Sequence, residues 1–409
     1  MTLSKYFNGE NTFLKNILIT ILVGVFVNFL NYLFNIYLAR NLQSNDFGLY
    51  NAALGIIYLV QIPAIAIQTA ITKRVAQKRD FNLEKFKIRS TLQLGLVAVT
   101  LSALFLIFGE QIAAFANIPD KYILPLSLAL FGAIISPIPK GFLLGLEKIA
   151  TLNLILVVET ILKFVMGYYA ISNSLDITLP ILSNVIPAML TLIFVLPFVR
   201  TGSMKLSTEK INIQYKAVVL LFITFLLLNA PFTLDLILVN PEVRASYGAL
   251  SLVGKIVYFA SITIAGVMIS KLANEEDQFR KKTLLISLTI SALTGLAISA
   301  VYFLFTKEIV DIVFKGMYSE IVPYITLYGI AMTVYAVSYM VINSLLIKDS
   351  YIHIFFLVLL VALQYTLFQF NNDSLKDAFM NQIIVYASLF FFVLLVLIFY
   401  ILKRNGKNS

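Results

Sequence analysis

Apolar and polar positions in this chain are sorted into long blocks, with no strict alternation and no narrow amphipathic stripe. Roughly twelve apolar blocks of about 20 residues fill it, at approximately 14–38, 48–72, 90–109, 122–146, 151–171, 177–199, 217–239, 247–272, 283–306, 321–347, 350–370 and 381–402. At ~1.5 Å rise per residue each block matches the ~30 Å hydrocarbon layer of a bilayer, so each predicts a membrane-spanning helix. Barrel strands are shorter, and only helices satisfy their own backbone groups inside lipid. The first block is not expected to be a cleaved signal. It outlasts an h-region and ends in Leu38-Ala39-Arg40 without a small-x-small pattern.

Composition sharpens this picture. Hydrophobic residues make up 60% and charged residues 13%, with mean hydropathy +0.90. The chain has no cysteine, which excludes disulfides, thiolate metal sites and thiol nucleophiles. The one histidine, His353, cannot build a metal cluster and reads as an interfacial residue. No paired-carboxylate loop, glycine-rich phosphate motif or extramembrane domain is evident, so the protein is not expected to be an enzyme.

The net charge of +10 is explained by placement. Of 31 Lys and Arg, 22 fall on one side of the predicted spans, including Lys73–Arg89, Arg200–Lys216, Lys271–Lys282 and the C-terminal Lys403, Arg404 and Lys407. Six fall on the other side: Arg40, Lys121, Arg244, Lys307, Lys315 and Lys376. This asymmetry places both termini in the cytoplasm and makes nucleic-acid binding improbable as the source of the basicity.

An internal repeat organises the spans. At an offset of 197, Tyr50 falls on Tyr247, Ala52 on Ala249, Val60 on Val257, Ile65 on Ile262 and Ala76 on Ala273; Phe108 falls on Phe305. Six spans per copy give both halves the same orientation, a parallel repeat about an axis along the membrane normal. The predicted fold is therefore an all-α polytopic membrane protein, about twelve helices in two parallel six-helix bundles around a central cavity. The bundles are assigned to residues 1–205 and 206–409, joined through Arg200–Lys216. Eight of the 11 prolines lie in the first half, several inside helices, notably in Ser136-Pro-Ile-Pro-Lys140. There they free carbonyls that need internal partners or a wet wall, as a hinge, a cavity lining or simple curvature.

Five ionisable groups lie within the spans: Lys140, Glu159, Lys163, Asp235 and Lys255. Each costs ~2.5–3.5 kcal/mol at the bilayer centre on insertion scales, so each needs a partner, an escape route or a task. Lys140 is expected to snorkel toward the cytoplasm. Glu159 and Lys163 stand four apart in the favourable order and are expected to pair, either for structure or in a cavity wall. Asp235 and Lys255, on consecutive antiparallel spans, are expected to meet as a structural pair or as a proton- or cation-linked switch. Asn28, Asn31 and Asn35 share one helical face, lining a cavity or joining helices, and Gln61 and Gln68 extend the theme.

Leu38-Ala39-Arg40-x-Leu42 followed by Phe47-Gly48-Leu49-Tyr50 resembles the oligosaccharide flippase (polysaccharide transporter) family, in the superfamily that includes the multidrug and toxin extrusion transporters. The second half echoes it at Leu234-Asp235, Ser246-Tyr247-Gly248 and Lys255-Ile256. The resemblance implies alternating-access flipping of a polyprenyl-(pyro)phosphate-linked oligosaccharide, for cell-surface polysaccharide such as O-antigen, in the cytoplasmic (inner) membrane of a prokaryote. It implies Lys163 and Lys255, with Lys140, as cations for the headgroup, and amides such as Asn28, Asn31 and Asn35 for sugar hydroxyls. Glu159 belongs to the same wall, and Asp235, Arg40, Arg244 and Lys140 are the coupling or gating candidates. Implied partners are membrane lipid and a polysaccharide polymerase or glycosyltransferases; no cofactor is implied, and the coupling ion, H+ or Na+, stays open. Two alternatives remain: a cation-coupled small-molecule or multidrug antiporter, which wants a carboxylate-rich cavity, and a non-transporting envelope-assembly scaffold.

Overall fold

A computed structural model describes residues 3–76, 83–196, 215–274, 277–346 and 353–405. The expected join at Arg200–Lys216 lies almost wholly outside the described residues. Everything regular in the described part is helical, with no strand among those residues.

The first half contains α1 (Leu3–Asn41), α2 (Ser44–Ala76), α3 (Leu83–Ile107), α4 (Gly109–Ala116), α5 (Ile123–Ile135), α6 (Pro137–Gly145), α7 (Ile149–Ser172), α8 (Thr178–Ser183) and α9 (Ile186–Val195). The second contains α10 (Tyr215–Leu238), α11 (Arg244–Asn274), α12 (Asp277–Leu304), α13 (Thr306–Phe314), α14 (Ile325–Leu346), α15 (His353–Phe370) and α16 (Leu375–Asn405). Among the described residues nine helical stretches are long and apolar enough to cross a membrane, and Ile186–Val195 and Phe222–Leu238 are shorter apolar helices. Their outer faces are greasy. Leu92 and Leu96 on α3, Phe303 on α12 and Phe370 on α15 are 69%, 69%, 73% and 87% exposed. A continuous apolar exterior of this kind needs lipid, not water, around it.

Proline chemistry fixes where the first-half helices break. Pro137 and Pro139 lack the N–H groups that would serve the carbonyls one turn back, and α5 gives way to α6 at Ser136. The expected sixth span is likewise two helices. Ahead of Pro187, Asn184 N–H and Val185 N–H bond to Ile181 O and Leu182 O at 3.1 and 2.9 Å, a tightened i→i−3 turn.

The chain divides into two compact units, residues 1–42 with 56–214, and residues 43–55 with 215–409. In unit 1, α1 packs on α7 and α3 on α5. Ser102 and Ser127 join the latter pair reciprocally, each hydroxyl donating to the other's backbone carbonyl at 3.2 and 3.0 Å. Hydroxyl bonds of this kind hold helices together where lipid supplies no hydrophobic drive.

In unit 2, α11, α12 and α14 form the most closely packed trio. Residues 43–55, the opening turns of α2, pack here, which gives the Phe47-Gly48-Leu49-Tyr50 motif a physical basis. Phe47 and Tyr50 are buried, and Gly48 passes Arg244 and Ala245 so closely that a Cβ would stand 3.4 Å from Ala245 N. A Cβ on Gly248 would stand 2.2 Å from Asn51 Nδ2.

The sequence repeat has structural counterparts within each unit. Phe108 interrupts α3 before the short α4, and Phe305 interrupts α12 before the short α13. Each short helix ends on a left-handed residue, Asn117 (φ 48°) and Lys315 (φ 55°), and a 3-10 turn follows, Asp120–Tyr122 and Ser319–Tyr324. Equivalent positions thus carry the same change of direction.

Candidate functional site

Each unit holds one cluster of in-span charges. In unit 1 the cluster is built on α7. Its Lys163 is half-buried and donates from Nζ to Asn31 Oδ1 on α1 at 2.9 Å. The Asn31 amide is oriented by its own Nδ2, which donates to Val27 O at 3.0 Å and so turns the oxygen toward the lysine. The ammonium also stands 4.7 Å above the Phe34 ring, an attraction worth ~0.5–2 kcal/mol. Gly167, one turn further along α7, lets that ring approach; a Cβ there would stand 2.2 Å from Phe34 Cε2.

Glu159 does not pair with Lys163, contrary to the expectation from their spacing. Its Oε2 accepts from Lys140 Nζ at 2.7 Å and its Oε1 accepts from the Thr191 hydroxyl. Lys140 and Glu159 are each only 14% exposed at the side chain, so Lys140 is an ion-pair member on α6 and not a snorkelling residue. A tertiary pair of that geometry outweighs an i,i+4 contact worth about 0.2–0.5 kcal/mol on an isolated helix. Thr191 gave no charge signal in the sequence; its place one turn after Pro187 was the available hint.

The asparagine stripe separates into three environments. Asn28 is exposed, Asn31 serves Lys163, and Asn35 is buried and donates to Asn31 O at 3.1 Å. Arg40 lies half-buried in the last turn of α1, where a cation complements the helix dipole. Gln61 and Gln68 are half-buried on α2.

In unit 2, Asp235 and Lys255 do meet, with Nζ 3.5 Å from Oδ1, and their side chains are 0% and 6% exposed. Leu236 N–H donates to Oδ1 at 2.8 Å, and the hydroxyls of Tyr247 and Tyr328 donate to Oδ2 at 3.1 and 3.4 Å. Lys255 Nζ stands 4.3 Å above the Phe232 ring. Around this pair Tyr258, Tyr335, Tyr339 and Tyr386 interlock with Phe232, centroids 4.5–6.2 Å apart. Pro231 lies inside α10 beside the pair, and side-chain donors reach the backbone carbonyls of this stretch. Pro231 O accepts from Gln364 Nε2 and Gln382 Nε2 at 3.0 and 2.7 Å, and Leu228 O accepts from Tyr335 OH at 2.8 Å. Sequence reasoning missed this tyrosine and glutamine shell. Tyr328, Tyr335 and Tyr339 recur on one face of α14, and that spacing was the signal.

Two further expectations resolve locally. Arg244 is 1% exposed and donates to Val239 O and Ile237 O at 3.1 and 3.3 Å, capping the carbonyl end of α10. His353 is fully buried, not interfacial, with Nε2 3.2 Å from the Thr224 hydroxyl on α10. Among the described residues no group of His, Cys, Asp and Glu is placed to hold a metal ion.

The fold is that of known polytopic transporters. An inward-facing multidrug resistance MATE family transporter of the MOP superfamily superposes with TM-score 0.71 at 12% identity, covering 94% of this chain and 96% of the other. The lipid II flippase MurJ in an inward closed conformation superposes with TM-score 0.70 at 13% identity, covering 93% and 87%. The eukaryotic MATE transporter AtDTX14 gives 0.61 at 13%, covering 93% of each. No curated protein sequence matches. The chain is thus a multi-pass membrane protein with the helical fold of these transporters. The family model for polysaccharide biosynthesis proteins matches residues 13–240, more than half of the sequence, and the chain belongs to that family.

Proposed function

We propose that this protein is a flippase that moves a polyprenyl-(pyro)phosphate-linked oligosaccharide from the cytoplasmic to the outer leaflet by alternating access, in the cytoplasmic membrane of a prokaryote with both termini inside. Family membership supplies the polysaccharide context, and the fold supplies a transporter architecture. A charged headgroup cannot cross hydrocarbon unaided, whereas a wall with a fixed cation and amides replaces its hydration.

The observation that carries the substrate class is the charge balance of the three in-span amines. Lys140 and Lys255 each hold a carboxylate, at 2.7 and 3.5 Å. Lys163 has only an amide oxygen and a ring face, with no carboxylate in ion-pair range among the described residues. Its charge is left to complement an anion, which suits a phosphate or pyrophosphate. A cationic drug would instead want an uncompensated carboxylate, and both in-span carboxylates are already paired.

The test is mass spectrometry of total lipids from a deletion strain re-expressing wild type or Lys163→Met. Accumulation of a complete polyprenyl-linked glycan, cleared by wild type and not by the variant, is the expected result. An unchanged lipid pool while the glycan is being made would overturn the reading and bring the small-molecule antiporter forward. Clearance by both proteins would remove Lys163 from the site.

A further inference from the structure

Glu159 and Lys163 are one helical turn apart in the order that favours pairing, yet the structure keeps them apart. Both carboxylate oxygens are committed elsewhere: Oε2 to Lys140 on α6 at 2.7 Å and Oε1 to the Thr191 hydroxyl on α9. Each anchoring residue follows a proline-broken stretch. Lys140 comes directly after Ser136-Pro-Ile-Pro, and Thr191 lies just past the break before Pro187, in reach of Pro187 O at 3.4 Å. Lys163 takes the Asn31 amide, a neutral partner.

We propose that Lys140 and Thr191 are positioning residues that hold the Glu159 carboxylate off Lys163, and so keep the Lys163 ammonium open to the anionic headgroup. This rests on Lys163 being the headgroup site. Without the two anchors, Glu159 has a cation of its own one turn away, and it closes the site by neutralising it. The arrangement works as a latch. A carboxylate bound to α6 and α9 leaves the site competent; the same carboxylate released onto its own helix silences it. A graded site of this kind meets a transporter's need to bind its cargo without retaining it.

The full-length protein in nanodiscs of neutral lipid, with geranylgeranyl pyrophosphate as a glycan-free probe, supplies the test. Wild type binds, and Lys163→Met binds at least about tenfold more weakly, the loss of a charge-assisted contact. Lys140→Met is expected to lose about tenfold as well, and Lys140→Met with Glu159→Gln to recover to within about threefold of wild type. Glu159→Gln alone binds at least as tightly as wild type. Thr191→Val changes no charge but releases one carboxylate oxygen, and is expected to weaken binding about threefold. Lys140→Arg keeps the ion pair and keeps binding.

The outcomes separate cleanly. Binding weakened by Glu159→Gln as much as by Lys140→Met would mean that the pair only holds helices together, and would overturn the latch. Binding unaffected by Thr191→Val would reduce the cluster to its net charge and overturn it too. Wild-type binding that Lys140→Met leaves unchanged refutes the latch alone. Wild type that fails to bind the probe refutes the headgroup site itself, and the latch with it.

Discussion

Lys255→Met leaves the Asp235 carboxylate, 0% exposed, without its cation. Breaking a buried pair from one side costs about 3–5 kcal/mol, because the remaining charge is neither solvated nor matched. At ~1.4 kcal/mol per tenfold, that is roughly a hundredfold to a few thousandfold in the folded-to-unfolded ratio. The local geometry sets the position in that range. Leu236 N–H, Tyr247 OH and Tyr328 OH stay aimed at the carboxylate, and bonds to a charged group contribute ~1.5–3 kcal/mol each, so the loss is expected near ~3 kcal/mol. Asp235→Asn leaves the ammonium with an amide oxygen and the Phe232 ring, which is worth ~2 kcal/mol when desolvated, and is expected to cost about the same.

The double variant, Lys255→Met with Asp235→Asn, carries no buried charge and retains a hydrogen-bond acceptor for Tyr247. Such neutral replacements are often close to neutral in stability, so a loss of only ~1–2 kcal/mol is expected. The two changes therefore do not add, and the coupling between them comes to about 4 kcal/mol. Reversible unfolding of the full chain in mixed micelles, with all four proteins at one pH, measures it. A double variant whose loss equals the sum of the singles, with coupling under ~0.5 kcal/mol, would falsify the view that the pair is one energetic unit.

Two further outcomes follow from close packing and polar satisfaction. Gly167→Ala forces a Cβ to within 2.2 Å of the Phe34 ring, which is 1% exposed and cannot simply swing aside. An overpacking loss of ~1–3 kcal/mol is expected, read as a lowered melting temperature in detergent together with weaker pyrophosphate binding, because the displaced ring is the one under Lys163. Gln364→Leu with Gln382→Leu strips Pro231 O of both side-chain donors at a site buried in unit 2. A loss of ~1–3 kcal/mol is expected for the two side-chain bonds to that carbonyl, and either single change should cost visibly less; equal losses for single and double variants in the same unfolding assay would refute that shared role.

The spans were legible because a long apolar block is a statement about solvent, and lipid leaves the backbone one local solution. The Asp235–Lys255 pair was legible for a related reason: two consecutive antiparallel helices bring a fixed sequence separation to one depth. Glu159 was misjudged because the i,i+4 rule describes an isolated helix, while α6 and α9 offered that carboxylate better partners. Which residues of α6 and α9 face α7 depends on the breaks at Ser136 and Asn184, and no periodicity survives a break. His353 was misjudged similarly. A histidine at a span end reads as interfacial until the neighbouring helix supplies Thr224. The tyrosine shell was missed because aromatic residues are common in apolar spans, and only their convergence from α11, α14 and α16 marks them.

The two lysine sites also share a sequence pattern, at an offset of 198 where α2 on α11 gives 197. With α1 laid on α10 at constant separation, Leu30 falls on Leu228, Asn31 on Asn229, Phe34 on Phe232 and Leu38 on Leu236. Both helices therefore present an asparagine and, one turn on, a phenylalanine, and both rings carry an ammonium, Lys163 at 4.7 Å and Lys255 at 4.3 Å. The lysines come from non-equivalent helices, α7 and α11, so the shared element is the ring that receives them. In the same register Tyr37 falls on Asp235. Unit 2 has a carboxylate at this position, closed in by Tyr247, Tyr328 and Leu236 N–H, and its charge is spent internally. Unit 1 has an aromatic ring there, tilted against Phe164 and Tyr168 at 5.8 and 5.9 Å, and Lys163 donates to an amide oxygen. Both sites thus seat an ammonium on the phenylalanine ring; in unit 2 a carboxylate three residues further on pairs with it, and in unit 1 an asparagine oxygen receives it.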